Sequence, residues 1–391
     1  MKVLTGDKIL TKSQCDALRG IAIIGIFLHN FCHWLHGAIK ENEFDFVADY
    51  SNKMWHYFSH DIDAFAPLQF LSFFGHYGVP VFLFLSGFGL VMKYERKEAQ
   101  YVKTLPFVGY YWLKLFRLML LGYVIPTVLF VLIGVQPQTL NEVLAQLALV
   151  TNMCFYPNPG VAMPSGCGPY WFFGLMLEIY VIYRLFIYPS RNRYGSVWRW
   201  LSPVLFILIA WAVQEFFAGN TDLIHFLRYN VVIAALPFGL GVLVGRYGFL
   251  SFPRWLWGCL SMLCLLAVAV TNLDFHAWLW APMVVVFGAV SFMKFLESTS
   301  GECRCNYLIV VRPLVWVGAL SSYIFVMHPV VRLPLFKLIL KKHEVLMMSD
   351  YLWLVVYIAG TLVLACLYRW LLKRIPSPKI DNKTGGIIIK K

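Results

Sequence analysis

The sequence predicts an all-α fold: a polytopic membrane helical bundle of about ten transmembrane helices with both termini cytoplasmic. Three observations predict it. Of 391 residues, 60% are hydrophobic and 14% charged, with a mean hydropathy of +0.67, whereas soluble domains run nearer ~45–50% apolar and ~25% charged. Apolar segments of spanning length recur along the whole chain. The basic residues behind the formal net charge of +13 cluster on alternate connections between those segments. Composition therefore excludes soluble globular, disordered and collagen-like chains. It also excludes a nucleic-acid binder, which can match the charge but not the hydropathy beside it.

Taken in order, the predicted spans are 17–36, 67–92, 113–135, 169–189, 201–218, 228–245, 255–272, 277–296, 314–332 and 351–372. Each approaches the ~20 apolar residues that a helix needs to cross a bilayer. None alternates at period two, so barrel strands are not expected, and helices are the remaining way to satisfy the backbone in lipid. With the N-terminus placed in the cytoplasm, the inner connections hold 26 of the 33 basic residues but 7 of the 20 acidic ones. That asymmetry orients the chain. The first apolar run follows Lys8 and Lys12 with no small-residue cleavage site after it, so it reads as a span and not as a signal peptide. One transmembrane domain, 1–376, is expected, followed by a cytoplasmic tail, 377–391.

Two outer connections are long. Residues 37–66 carry Glu41, Glu43, Asp45, Asp49, Asp61 and Asp63. Residues 136–168 hold an amphipathic stretch, Thr139–Val150, too short to span, and then turn-rich runs at 157–160 and 164–166. Connections of this length are functional or loose. Nine scattered cysteines, several within apolar runs (Cys32, Cys259, Cys264, Cys366), are poor material for a disulfide framework. Cys303 and Cys305 beside Arg304 lack a second ligand pair and make a weak metal signal.

Ionisable side chains inside membrane helices are costly and mark functional candidates. The first span is richest: Arg19 lies near its inner end, and His29 is ten residues, about 15 Å, further along. His29, His33 and His36, at i, i+4 and i+7, are expected on one face. Three readings apply to them. His33 and His36, near the helix end, suit interfacial placement. A metal site through His29 and His33 lacks an HExxH-like acid or a second-helix ligand, so no metal is expected. His29, deep in the helix, suits catalysis, because a neutral imidazole is cheap to bury and can take a proton from a hydroxyl.

In the second span Gly75, Gly78 and Pro80 mark a kink or close helix approach, Ser86-Gly87 a small-residue packing position, and His76 a candidate to face His29. Lys114 and Arg117 open the third span, as anchors or as cations for the phosphates of a cytoplasmic donor. Glu178 is expected to pair with an intramembrane His or Arg, or to stay protonated. Ser321-Ser322-Tyr323 through His328-Pro329 adds a kink and polar groups near the outer face.

Together these segments resemble the integral-membrane acyltransferase-3 family, whose bacterial members O-acylate envelope sugars. Asp16-Ala17-Leu18-Arg19-Gly20 through His29 resembles its first-helix motif of a basic residue and a catalytic His. Gly78-Val79-Pro80-Val81-Phe82-Leu83-Phe84-Leu85-Ser86-Gly87-Phe88 resembles its second-helix pattern, Lys114 and Arg117 its Arg-rich motif, and Trp171–Tyr180 and Ser322–Pro329 later motifs. Nine residues separate Arg19 from His29 where the family has ten, leaving both His29 and His33 as candidate bases. Leu113 stands where a second Arg is usual.

The resemblance implies an inner-membrane acyltransferase moving an acyl group, most simply acetyl, from acyl-CoA to a hydroxyl of an envelope glycan or lipid-linked sugar. No permanently bound cofactor, metal or nucleic acid is expected. The implied catalytic residues are His29, Glu178 and His33; those for the donor are Arg19, Lys114 and Arg117. His76, Tyr323, His328 and Trp171 are implied for the acceptor. The alternative is a proton-coupled transporter or exporter of a glycan or small molecule, with the intramembrane His and Glu as a relay. The absence of a visible internal repeat argues against it.

Overall fold

A computed structural model describes residues 3–5, 9–95, 101–132, 139–154, 168–188, 196–297, 304–340, 348–381 and 386–390. The predicted turn-rich runs at 157–160 and 164–166, and Cys303, lie outside the described residues. The first helix of the chain begins at Lys12. The helices are α1 (Lys12–Cys32), α2 (Ala48–His60), α3 (Ala66–Phe74), α4 (Gly78–Tyr94), α5 (Thr104–Leu132), α6 (Leu140–Ala148), α7 (Trp171–Ile182) and α8 (Ser196–Phe216). They continue as α9 (Thr221–Arg228), α10 (Val231–Tyr247), α11 (Arg254–Thr271), α12 (Phe275–Trp278), α13 (Ala281–Leu296), α14 (Arg304–Leu340) and α15 (Met348–Leu372).

Two small antiparallel pairings accompany the helices: β1 (Val3–Leu4) with β2 (Phe249–Leu250), and β3 (Ser377–Ile380) with β4 (Ile387–Lys390). The segment expected as a tail thus holds a hairpin. Its register pairs Ser377 with Lys390 and Ile380 with Ile387.

Among the described residues, eight helices are long and apolar enough to cross a membrane, or nine if the bent pair α9–α10 counts as one span. The chain is an all-α, multi-pass membrane protein. Ten spans were expected, and the difference lies in particular elements. The segment expected at 277–296 forms a helix of only 16 residues, α13, because Pro282 sets its first turn and the preceding chain is spent on the short α12. The segment expected at 228–245 forms α10, a helix of 17 residues, which passes as a span only together with α9, from which it is bent by 49° at Tyr229–Asn230. The third span begins at Thr104, not 113, since Pro106 is tolerated in a first turn and an aromatic run follows it. Lys114 and Arg117 therefore sit inside α5, not at its start.

The chain divides into two compact units. The first comprises residues 1–99, 203–216 and 234–321. Its core packs Ala17, Leu18 and Ala22 of α1 with Val81, Phe84 and Phe88 of α4 and Val286, Val290 and Met293 of α13. Close approach of α4 and α10 rests on a reciprocal pair: a Cβ on Gly87 would strike the Phe238 carbonyl, and one on Gly241 would strike the Phe84 carbonyl. This is the small-residue packing that Ser86-Gly87 signalled. The buried Glu95–Arg246 pair, bidentate at 2.7 Å, ties the end of α4 to α10.

The second unit comprises residues 100–202, 217–233 and 322–391. Met119 and Tyr123 of α5, Phe173 of α7, Val326 and Met327 of α14, and Tyr368 of α15 form its core. The Tyr170 hydroxyl donates at 2.8 Å toward the carbonyls of Gly122 and Val326, supplying a polar tie among apolar faces.

Candidate functional site

In the first unit, α1 positions the histidine that the sequence singles out. Its start is set by a capping box: the Thr11 side chain accepts from the Gln14 N–H, and Gln14 Oε1 accepts from the Thr11 N–H at 2.8 Å. Its end falls at Cys32, with His33 as the C-cap and Gly37 turning the chain at φ +77°. The helix stops before the third histidine. His36 is exposed and lies beyond the helix, so the expected three-histidine face contains two.

His29 is 2% exposed and its Nδ1 lies 2.8 Å from the Ser72 carbonyl. A carbonyl only accepts, so Nδ1 carries a proton, and in the neutral ring Nε2 then carries the lone pair. His33 Nδ1 lies 3.2 Å from that Nε2, and the two rings are 4.6 Å apart. The His76 ring stands edge-on to His29 at 5.5 Å. Asn30, the residue at the family's usual spacing, instead turns its amide back to the Ile26 carbonyl at 2.9 Å. His29 is thus the inward residue of this motif.

The neighbouring chain is shaped around His29. The second span, Ala66–Tyr94, is continuous, with α3 and α4 joined by one tight 3-10 turn at Gly75–Tyr77 where its glycines bring it close to α1. A Cβ on Gly75 would strike both the Gly25 carbonyl and the His29 Cβ, so glycine alone lets this turn press against α1. Ser72, fully buried, donates from Oγ to the Ile39 carbonyl at 3.0 Å. Asp63 helps hold the start of α3: the Tyr57 hydroxyl and then the Phe65 N–H donate to its carboxylate, keeping its pKa below the ordinary carboxylate value.

Two carboxylates complete the cluster. Glu41 Oε1 and Glu43 Oε2 lie 3.6 and 3.8 Å from His29 Nε2, with side chains 17% and 16% exposed. Both approach His29, while the intervening Asn42 is turned into the fold. Asn42 is fully buried. It donates to Ser51 Oγ at 2.9 Å and accepts from the Val47 N–H at 3.0 Å, while its carbonyl accepts from Trp278 Nε1 at 2.7 Å. Ser51 in turn donates to the Asn272 carbonyl. Sequence reasoning saw Glu41 and Glu43 only as acidic loop residues. The Glu-Asn-Glu pattern, with an amide between two acids, was the available signal.

Arg19, on the same helix, pairs with Asp16 at 2.6 Å and keeps its side chain 36% exposed.

The second unit treats its polar residues differently. Glu178 accepts from Asn152 Nδ2 at 2.5 Å and from the Val231 N–H at 2.8 Å. Val231 opens α10, so the carboxylate caps the helix N-terminus that the α9–α10 break exposes. The expectation of a His or Arg partner is corrected: a broken helix supplies orphan N–H groups that a carboxylate satisfies without a cation. Arg117 donates from Nε to the Pro376 carbonyl and from Nη2 to the Ile375 carbonyl, both at 2.8 Å, and to the Leu372 carbonyl, closing the end of α15.

Lys114 is exposed, its ammonium 5.9 Å from the Tyr111 ring. Trp171 packs edge-on to Tyr229 at 5.3 Å, and Tyr323 lies 6.3 Å from Tyr368. His328 is fully buried, with Nδ1 3.2 Å from the Ile324 carbonyl one turn back. Arg184 is buried, held by the Val102 and Tyr188 carbonyls over the Tyr101 ring.

Fold and site together define a multi-pass membrane protein with a buried histidine–carboxylate cluster at the end of its first helix. The family comparison is specific. The acyltransferase-3 model, described as an acyltransferase domain, matches residues 13–370, and the chain belongs to this family. It is a membrane acyltransferase, and the transporter alternative gives way to that assignment. No curated protein and no solved structure matches the chain.

Proposed function

We propose that this acyltransferase moves an acetyl group from acetyl-CoA to a hydroxyl of an envelope glycan or lipid-linked sugar at the bacterial inner membrane, with His29 as general base. The observation that carries the reading is the His29 Nδ1 bond to the Ser72 carbonyl, which leaves the Nε2 lone pair for proton transfer. In this mechanism Nε2 takes the proton of the acceptor hydroxyl as its oxygen attacks the thioester carbonyl. The carbonyl electrons move onto oxygen, then return as the C–S bond breaks. The leaving thiolate takes the proton from Nε2, so the products are the acetyl ester and free CoA. Glu41 and Glu43 carry the charge that balances the transient imidazolium.

His33 lies against His29 and assists its proton traffic, and His76 binds the acceptor beside it. Arg19 and Lys114 serve as cations for donor phosphates. Arg117 acts as a positioning residue through the α15 carbonyls it holds, while Glu178 supports the fold through its cap on α10. Trp171, Tyr323 and His328 are proposed acceptor contacts, to be read from the acceptor KM of their variants.

The test is purified protein in liposomes with labelled acetyl-CoA and extracted envelope glycan. Acceptor-dependent release of free CoA with label on the glycan is expected. Thioester hydrolysis that ignores the acceptor would overturn the assignment.

A further inference from the structure

We propose that His29, His33 and Glu41 form a binding site for one divalent transition-metal ion of the zinc class, with Glu43 as fourth ligand, and that a bound ion silences the enzyme. The ligand atoms of His29, His33 and Glu41 all lie within 4.8 Å of one another. Around His29 Nε2, the partner atoms of His33, Glu41 and Glu43 stand at 3.2, 3.6 and 3.8 Å. Ligands held about 2.1 Å from a tetrahedral ion are separated by about 3.4 Å, so the three distances from His29 Nε2 bracket that spacing, and enclosing an ion requires the other atoms to draw together from within 4.8 Å for His33 and Glu41, with Glu43 swinging in beside them.

Two imidazoles and two carboxylates make a donor set suited to zinc. The outer shell is also in place. His29 gives its other ring N–H to the Ser72 carbonyl, the arrangement that orients a ligating imidazole. Ser72 and Asn42 are fully buried, so the carbonyl and the segment bearing both carboxylates are fixed from behind. The acids that a helix motif would have supplied come from the 41–43 segment instead.

The consequence rests on the proposed role of His29. A metal and a substrate proton compete for one Nε2 lone pair, so occupancy and turnover exclude each other. This is an inhibitory site, distinct from a metal that assists the chemistry.

The experiment is titration of tag-free, metal-stripped full-length protein in detergent with Co2+, followed by its visible d–d absorption and then by Zn2+ displacement. One Co2+ per chain in a tetrahedral spectrum is expected. His33→Gln and Glu41→Gln, each checked for unchanged helicity and elution, should weaken binding by at least on the order of a hundredfold, the upper figure for losing a mere outer-shell partner. Equal binding by wild type and both variants would overturn the site. Acetyl transfer, measured alongside, should fall in proportion to occupancy. Metal bound with full turnover would overturn both the inhibition and the role of His29 as base while leaving the ligands standing. No metal bound, with His29→Ala inactive, would sink the site and leave the base intact.

Discussion

The two units handle buried polar groups in opposite ways. In the first, His29 Nε2 meets other titratable side chains: His33, Glu41 and Glu43 at 3.2–3.8 Å. In the second, Glu178 and Arg117 meet the ends of helices, the one capping the start of α10 and the other the last carbonyls of α15. An ionisable residue in a membrane helix is a functional candidate by default, yet a broken or ending helix creates orphan backbone groups that consume such residues structurally. The distinguishing observation is what the charged atoms touch. Titratable side chains that meet one another point to chemistry, and contacts with backbone termini point to architecture.

The sharpest way to break this contrast is to substitute one group from each side. His29→Gln should lower acceptor-dependent CoA release by roughly a hundredfold to ten-thousandfold, the usual worth of a general base, with the chain still folded in the membrane. Gly75→Ala comes next. The added methyl strikes the Gly25 carbonyl and the His29 Cβ, and an ångström of misplacement costs on the order of a hundredfold in turnover. Donor binding, followed by equilibrium dialysis with labelled CoA, should be unchanged.

Glu178→Gln should behave differently, because the amide keeps one acceptor and loses the other. A loss of about 1–3 kcal/mol is expected in a thermal or denaturant melt, from a buried donor left without its partner, with turnover of the folded fraction largely retained. A collapse of turnover in fully folded E178Q would place Glu178 among the reacting groups and erase the contrast. The smallest effect is expected for Thr11→Ala, which removes the α1 cap at a cost of about 1 kcal/mol and leaves the histidine cluster in place. Its activity per folded molecule should match wild type.

The sequence made some of this legible. Hydropathy and composition announced an all-helical membrane protein, and Gly75 and Gly78 marked the place where the second span tightens and presses against α1, because glycine acts on the backbone directly. The inward position of His29 was also readable from depth. Less visible was the end of α1: nothing in the apolar pattern says that the helix stops at Cys32, which removes His36 from its face. The α9–α10 break falls at Tyr229–Asn230, at the edge of the expected span, and no local motif there announced the need for Glu178 to cap it. Glu41 and Glu43 were hardest, since their approach to His29 depends on Asn42 being anchored by Ser51 and Trp278, residues that are distant in sequence.

The central claim, that His29 Nε2 is the base, is tested most directly by chemical rescue. His29→Ala in liposomes, supplied with labelled acetyl-CoA and acceptor glycan, is assayed for CoA release with and without added imidazole. The account predicts near-zero release alone and a concentration-dependent return with imidazole, which fills the space left by the ring and takes up the proton. Wild-type turnover by His29→Ala in the absence of imidazole would contradict it.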